Sequence, residues 1–371
     1  MPPEQTFPNT WRIIDEGIKT GLHSGGQIYI SKAGQIIIDA AFGSRTVGVP
    51  MRADDLMPWL SNTKPLTAIA FGQLFENKQL SFNDPVTKWL PEFAAGGKQT
   101  ITLEHLLTHT SGFREADKIP ENLSWEETIQ RTCAIPLEND WTPGKTAGYH
   151  VSGSWFILAE VLQKIAGILW ADYIKQNIFL PLGTRDSFVN LSRAELDTFK
   201  DRIAPMFITV GGKSDPHPIL NSPEYMQLPR PGSSGRGPIR ELAQIYEMLL
   251  ADGIYDREKI LEPSTARLLT KPHRIGMYDR TFRHKIDWSL GLIVNSNQYG
   301  AETIPYSFGR HSSPDTFGHG GAQSSSAFAD REHQLVIAWA FNGMPGEPRH
   351  NRRSRDLNTA IFEDLHLFKT A

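Results

Sequence analysis

Apolar and polar positions follow two different periods along this chain, and the change between them marks its regions. Near the amino end, "GGQIYISKAGQIIIDAAFGSRT" is dense in β-branched residues on both sides of Lys32, Ala33 and Gly34, so it reads as two strands around a tight turn. Close to the carboxyl end, "SSSAFADREHQLVIAWAFNG" repeats that form, with a strand ending at Asp330, a charged turn, and a second strand over 335–341. Between them the period lengthens. "SNTKPLTAIAFGQLFENKQL" places Leu66, Ile69, Ala70, Leu74 and Phe75 at helical spacing. "ITLEHLLTHTSG" carries the same period from Leu103 to Leu107 and stops at Gly112; "SGSWFILAEVLQKIAG" stops at Gly167 and "PIRELAQIYEMLLADG" at Gly253. Helices are also expected over 8–22 and 356–368. The pattern predicts an α+β fold in which an antiparallel sheet is assembled from both ends of the chain and covered by terminal helices. The sheet region is expected over 1–60 and 235–371, and a large, mainly helical insertion over 61–234.

Composition narrows the function classes. With 371 residues, 39% hydrophobic and 21% charged, the chain can bury a large core as one big or two intimately joined domains. A net charge of -3 supplies no chain-wide field for phosphate backbones or anionic lipid, so no nucleic-acid partner is expected. The one dense basic run, Arg349, His350, Arg352, Arg353 and Arg355, is expected to be a solvated loop and helix start. Cys133 is the single cysteine, which excludes an intrachain disulfide, and with no histidine beside it the thiol reads as packing. No stretch approaches the roughly 18 to 20 apolar residues of a membrane span, and "MPPEQTFPNTWRIIDEG" has no charged head before an apolar core. The expectation is a soluble cytoplasmic protein without membrane contact. Glycine-rich "RPGSSGRG" is expected to form a flexible loop near a site.

Candidate chemistry centres on Ser61 and Lys64. About one Ser-x-x-Lys is expected by chance in a chain of this length, so the spacing alone does not decide. A serine hydroxyl becomes a nucleophile only when a neighbouring base takes its proton and fixed donors receive the resulting oxyanion. Residues three apart share a helix face, and Pro65 argues for a tight turn at Ser61 rather than an established α-helix. The competing reading is a helix-capping Ser61 with a solvated Lys64. His105 and His109 form an i, i+4 pair that could hold a cation, but no Glu follows His105 directly, so a structural role is expected and no metal or other cofactor is assigned. His319 stands before Gly320 and Gly321, which would let a ligand approach the backbone, or would simply make a turn. A Gly-x-Ser-x-Gly elbow, a Gly-x-Gly-x-x-Gly and a Walker loop are absent.

Taken together, Ser61 to Lys64 at a helix start, Tyr149 in "PGKTAGYHVSGSWFILAEVLQKIAG", and "FGHGGAQSSSAFAD" leading into "LVIAWAFNG" resemble the three motifs of the serine β-lactamase and penicillin-binding-protein superfamily. The resemblance is to its class C-like branch, with family VIII carboxylesterases, D-aminopeptidases and transesterases. "ITLEHLLTHTSGF" and "RELAQIYEMLLADG" are similar to connecting stretches of that group. The resemblance implies an active site at the seam of sheet and helices, with Ser61 acylated, Lys64 helping to deprotonate it and Tyr149 shuttling protons. It implies further that His319 takes the place of the lysine in a Lys-Thr-Gly motif, and that the backbone N–H groups of Ser61 and Ala322 form the oxyanion hole.

Two departures redirect the expected substrate. Val151 stands where the family's Tyr-x-Asn motif has its asparagine, which removes an amide partner worth roughly 1 to 3 kcal/mol to a substrate amide. His319 is neutral over much of the physiological range, whereas a lysine would hold a permanent charge opposite a substrate carboxylate. Both favour acyl transfer from a small-molecule ester or thioester to water, an alcohol or an amine. The alternatives are a D-aminopeptidase, DD-peptidase or β-lactamase type of amide hydrolase, and a non-catalytic binding protein on the same fold.

Overall fold

The structure is a computed structural model that describes residues 3–120 and 122–368. Residues 1–2 and 369–371, the outer ends of the expected sheet region, and residue 121 of the expected helical region lie outside it. Its backbone is an eight-stranded antiparallel sheet with helices on both faces. In chain order the elements that matter here are α1 (Pro8–Lys19), β1 (Gly25–Lys32), β2 (Gln35–Thr46), β3 (Val49–Pro50), α2 (Lys64–Glu76), α3 (Gly153–Ala166), α4 (Ile239–Leu250), β4 (Asp287–Trp288), β5 (Ile293–Val294), β6 (Phe317–Gly321), β7 (Ser325–Asp330), β8 (Leu335–Phe341) and α5 (Glu347–Asp364). The strand order is β4-β5-β6-β7-β8-β1-β2-β3, so β1 from the amino end pairs with β8 from the carboxyl end, Tyr29 opposite Ala338. The turn between β1 and β2 is Ala33 and Gly34, both at positive φ (50° and 75°), as a two-residue hairpin turn requires.

Alternation along the strands sorts the two faces. Ile28, Ile30, Ile337, Trp339 and Phe341 point to one side and pack with Trp11 and Ile14 of α1 and Leu357 and Ile361 of α5. Tyr29, Val336, Ala338 and Ala340 point to the other, where small side chains let α4 lie close through Leu242, Tyr246 and Leu249. That second face shares its core with the helical region, including Leu66, Ile69 and Phe71 of α2 and Trp155 and Leu158 of α3. Helix α2 is buried over most of its circumference, which marks a central rather than a surface helix. Among the described residues no single helix is long and apolar enough to cross a membrane.

Three local expectations are corrected. The last helix begins at Glu347 instead of about Asp356, so the basic run lies within α5. Only part of that run is solvated: Arg353 is buried over the Phe341 ring, 4.4 Å from its centroid, and donates to the Gln323 carbonyl at 2.9 Å, because the helix turns this position toward the sheet. The helix that includes His105 ends at Leu107, and His109 lies beyond it at φ 57°, so the two histidines share no helical face. His105 accepts from the Thr102 N–H as part of a capping box, and His109 Nδ1 accepts from the His150 N–H. Among the described residues no group of three or more His, Cys, Asp or Glu is placed to hold a metal ion. Cys133 is buried, and desolvation pushes its thiol up to about 11, which leaves it a packing residue.

Candidate active site

Ser61 lies in a 3₁₀ turn, Leu60–Thr63, that leads into α2, with Pro65 in the first helical turn where its missing N–H leaves no bond unmade. Leu60, at φ 51°, is held in the left-handed region immediately before Ser61, and the Thr63 hydroxyl closes the turn on the Leu60 carbonyl at 2.6 Å. Lys64 Nζ donates to Ser61 Oγ at 3.0 Å and to the Gly232 carbonyl at 2.7 Å. The Tyr149 hydroxyl donates to the same Ser61 Oγ at 2.9 Å. Ser61 is therefore no helix cap and Lys64 is not solvated.

Burial sets the proton affinities. Lys64, the first residue of α2, is fully buried, with its nitrogen 5.1 Å from the Tyr149 ring centroid and 5.6 Å from that of Trp155 in α3. Desolvation lowers its pKa from 10.5 to about 7, against a smaller opposing effect of the Asp117 carboxylate. Tyr149 is driven the other way, well above the usual phenol range, so it stands here as a neutral phenol. His319 is pushed down to about 3 by burial and by the charge of Lys64. Its Nδ1 faces the Gly320 carbonyl at 2.8 Å, which can only accept, so that nitrogen carries the proton and the buried Nε2 presents a lone pair.

The turn and the strand that flank Ser61 are locked together by Asn62. Its amide is oriented to donate to the His319 carbonyl at 2.8 Å and to accept from the Gly321 N–H at 3.2 Å. Gly321 permits this approach: a Cβ there would lie 2.5 Å from the Trp59 carbonyl oxygen. A Cβ on Gly320 would lie 2.3 Å from the Tyr306 ring, so both glycines make room for the protein's own groups, and Gly320 also borders the pocket at Ser61. Ala322 lies in the turn between β6 and β7 rather than on a strand, and it borders the same pocket as Ser61. The segment "RPGSSGRG" is bound into the site instead of hanging loose. Besides the Gly232 carbonyl on Lys64, the Gly235 N–H donates to Thr63 Oγ1 at 2.7 Å and the Gly235 carbonyl accepts from the Trp59 N–H at 2.7 Å.

Residues without a local motif position Tyr149. Asp279 Oδ1 accepts from the Tyr149 N–H at 3.0 Å, while Oδ2 pairs with the guanidinium of Arg274 at 3.1 Å in a fully buried ion pair. The Thr281 hydroxyl donates to the Tyr149 carbonyl at 2.9 Å. Asp117 accepts from the N–H groups of Val151, Ser152 and Gly153, fixing the chain between Tyr149 and α3. Val151 itself is 48% exposed and projects at the mouth of the site. The pocket at Ser61 has a volume of about 370 Å³ and is bounded mainly by apolar and aromatic side chains, among them Val151, Phe282, Ile293 and Tyr306.

The beta-lactamase family model matches residues 12–360. The chain belongs to the beta-lactamase family. As a member of that family it is similar to Esterase EstB of Burkholderia gladioli, 30% identical over 196 residues; the match covers 47% of this chain and 49% of the esterase, about half of that relative's length. Its fold matches a solved family VIII carboxylesterase with a TM-score of 0.77 at 23% identity, over 98% of both chains. It also matches EstCE1, a hydrolase with promiscuous acyltransferase activity, with a TM-score of 0.79 at 20% identity, over 98% of this chain and 100% of that one. The expected α+β architecture with its antiparallel sheet is thus that of the family.

Proposed function

We propose that this protein is a serine acyl hydrolase or acyltransferase that works through an acyl-Ser61 intermediate on ester or thioester substrates. One observation carries the reading: Ser61 Oγ receives Lys64 at 3.0 Å and Tyr149 at 2.9 Å while opening on an apolar pocket. Near neutral pH Lys64 holds a lone pair and takes the Ser61 proton as Oγ bonds to the acyl carbon. The oxyanion forms against the N–H groups of Ser61 and Ala322. Its collapse breaks the bond to the alcohol or thiol, which leaves with a proton from the Tyr149 hydroxyl; Lys64, now protonated, restores that proton. Water or a second alcohol then attacks the acyl-serine by the same steps in reverse.

The choice of esters over amides or β-lactams rests on two side chains. Val151 offers no amide to a substrate peptide group, and His319 offers a neutral acceptor where a cation would hold a carboxylate. The similarity to an esterase and the fold shared with a carboxylesterase and an acyltransferring hydrolase support this direction. The test is turnover of a short-chain p-nitrophenyl ester by wild type and Ser61→Ala at matched melting temperature. Loss of turnover in the variant is expected, and unchanged turnover contradicts the reading.

A further inference from the structure

The lining of the pocket at Ser61 combines aromatic rings with one acid. The Phe282 ring lies 4.8 Å from the Tyr149 ring and meets the Tyr306 ring edge-on at 5.8 Å, centroid to centroid, and all three border the cavity. Glu347 and Asn351, from the first turns of α5, border it as well. Glu347 Oε1 accepts from the Tyr306 hydroxyl at 2.9 Å, and Asn351 Oδ1 accepts from the Tyr306 N–H at 3.0 Å. Tyr306 is further fixed by its contact with Gly320 and by a left-handed backbone, φ 55°. The arrangement is therefore built before any substrate arrives.

What it lacks is a positive charge. Among the described residues no Lys, Arg or His forms a salt bridge with Glu347, which is exposed to solvent where it borders the pocket, and desolvation there raises its carboxyl from the ordinary value against the lowering effect of the Tyr306 hydroxyl. His319 is neutral, and Lys64 is enclosed behind Ser61. A neutral acyl chain would cover the rings but leave the Glu347 carboxylate without a counter-ion, and an anion would be repelled by it. An alkylated ammonium satisfies both kinds of surface, since its methyl groups pack on ring faces that attract positive charge while the carboxylate neutralises it.

We infer that this pocket selects an ester or thioester bearing a substituted ammonium group, seated between Phe282, Tyr306 and Glu347. The inference rests on the acyl-Ser61 reading and adds the substrate class. Two isosteric pairs test it: choline butyrate against the ester in which a tert-butyl group replaces trimethylammonium, and the p-nitrophenyl ester of γ-trimethylammoniobutyrate against its tert-butyl counterpart. The pairs place the charge on the alcohol and acyl sides respectively. In at least one pair kcat/KM is expected to favour the cation by about tenfold, a ratio that falls with added salt. In Glu347→Gln the ratio is expected to drop to near unity. Ratios at or below unity in both pairs, or a preference that survives in a folded Glu347→Gln, overturn the inference. Turnover of the neutral isosteres in Ser61→Ala is read separately: if it persists, the acyl-Ser61 reading falls and takes this inference with it, whereas a missing cation preference with Ser61-dependent turnover removes this inference alone.

Discussion

Lys64 Nζ, fully buried, stands 3.0 Å from Ser61 Oγ and donates as well to the Gly232 carbonyl at 2.7 Å. The apolar character of α2, read directly from the sequence, is what withholds water from this nitrogen and brings its pKa to about 7. In the proposed mechanism a core helix thus supplies the base, its proton affinity brought down toward neutral pH by burial.

The pH profile follows from that value. Lys64 accepts a proton only in its neutral form, so kcat/KM for a neutral ester is expected to rise through a single limb centred near 7 and then level off. His319, at about 3, ionises too low to shape the limb. A profile flat across neutral pH, or a limb near the ordinary lysine value, contradicts the assignment.

The same burial costs stability. The unfolded chain keeps the Lys64 proton up to about 10.5 and the folded protein releases it near 7, so the unfolded state binds more protons between those values. Stability therefore rises with pH across that window, and the penalty is fully present below it. Lys64→Met is expected to be inactive yet more stable at neutral pH, by on the order of 1–4 kcal/mol, with the difference shrinking as pH rises. Urea denaturation of both proteins at several pH values checks this; equal stability throughout would remove the desolvation account.

Asp279 acts on Tyr149 through the backbone. Asp279→Asn leaves Arg274 buried opposite a neutral amide, which is expected to cost about 3–5 kcal/mol by urea denaturation. Ester turnover should fall as well, since the Tyr149 N–H is held by this carboxylate. A variant of wild-type stability would mean that the pair is dispensable.

Val151 gives the simplest test of substrate choice. It is 48% exposed, so Val151→Asn is expected to change stability by no more than about 0.5 kcal/mol. The ratio of nitrocefin to p-nitrophenyl ester turnover should rise by roughly tenfold, in line with one restored hydrogen bond of about 1–3 kcal/mol. An unmoved ratio would show that the missing amide does not set the preference.

The parts of this architecture that were legible in the sequence are those with local causes. The β1–β2 hairpin follows from Ala33 and Gly34 between β-branched runs, and the tight turn at Ser61 follows from Pro65. The Ser61, Lys64 and Tyr149 grouping was visible only because three motifs occur in one order, since Tyr149 lies 88 residues from Ser61. Asp279 and Glu347 carry no motif at all: Asp279 comes from the chain just before the edge strand β4, and Glu347 from the start of α5 after the central strand β8. Composition misled at "RPGSSGRG", where glycines that suggest looseness instead admit close packing: a Cβ on Gly232 would stand 2.7 Å from the Val151 carbonyl oxygen. It misled again at the start of α5, where a polar, basic surface hides the one buried arginine that points at Phe341.

The central claim, that Ser61 Oγ is the acyl acceptor, is tested most directly by labelling the protein with a fluorophosphonate and mapping the adduct by peptide mass spectrometry. The account predicts one adduct, on Ser61, that forms in step with loss of ester turnover and is absent in Ser61→Ala. An adduct on another residue, or undiminished turnover after Ser61 is fully labelled, would contradict it.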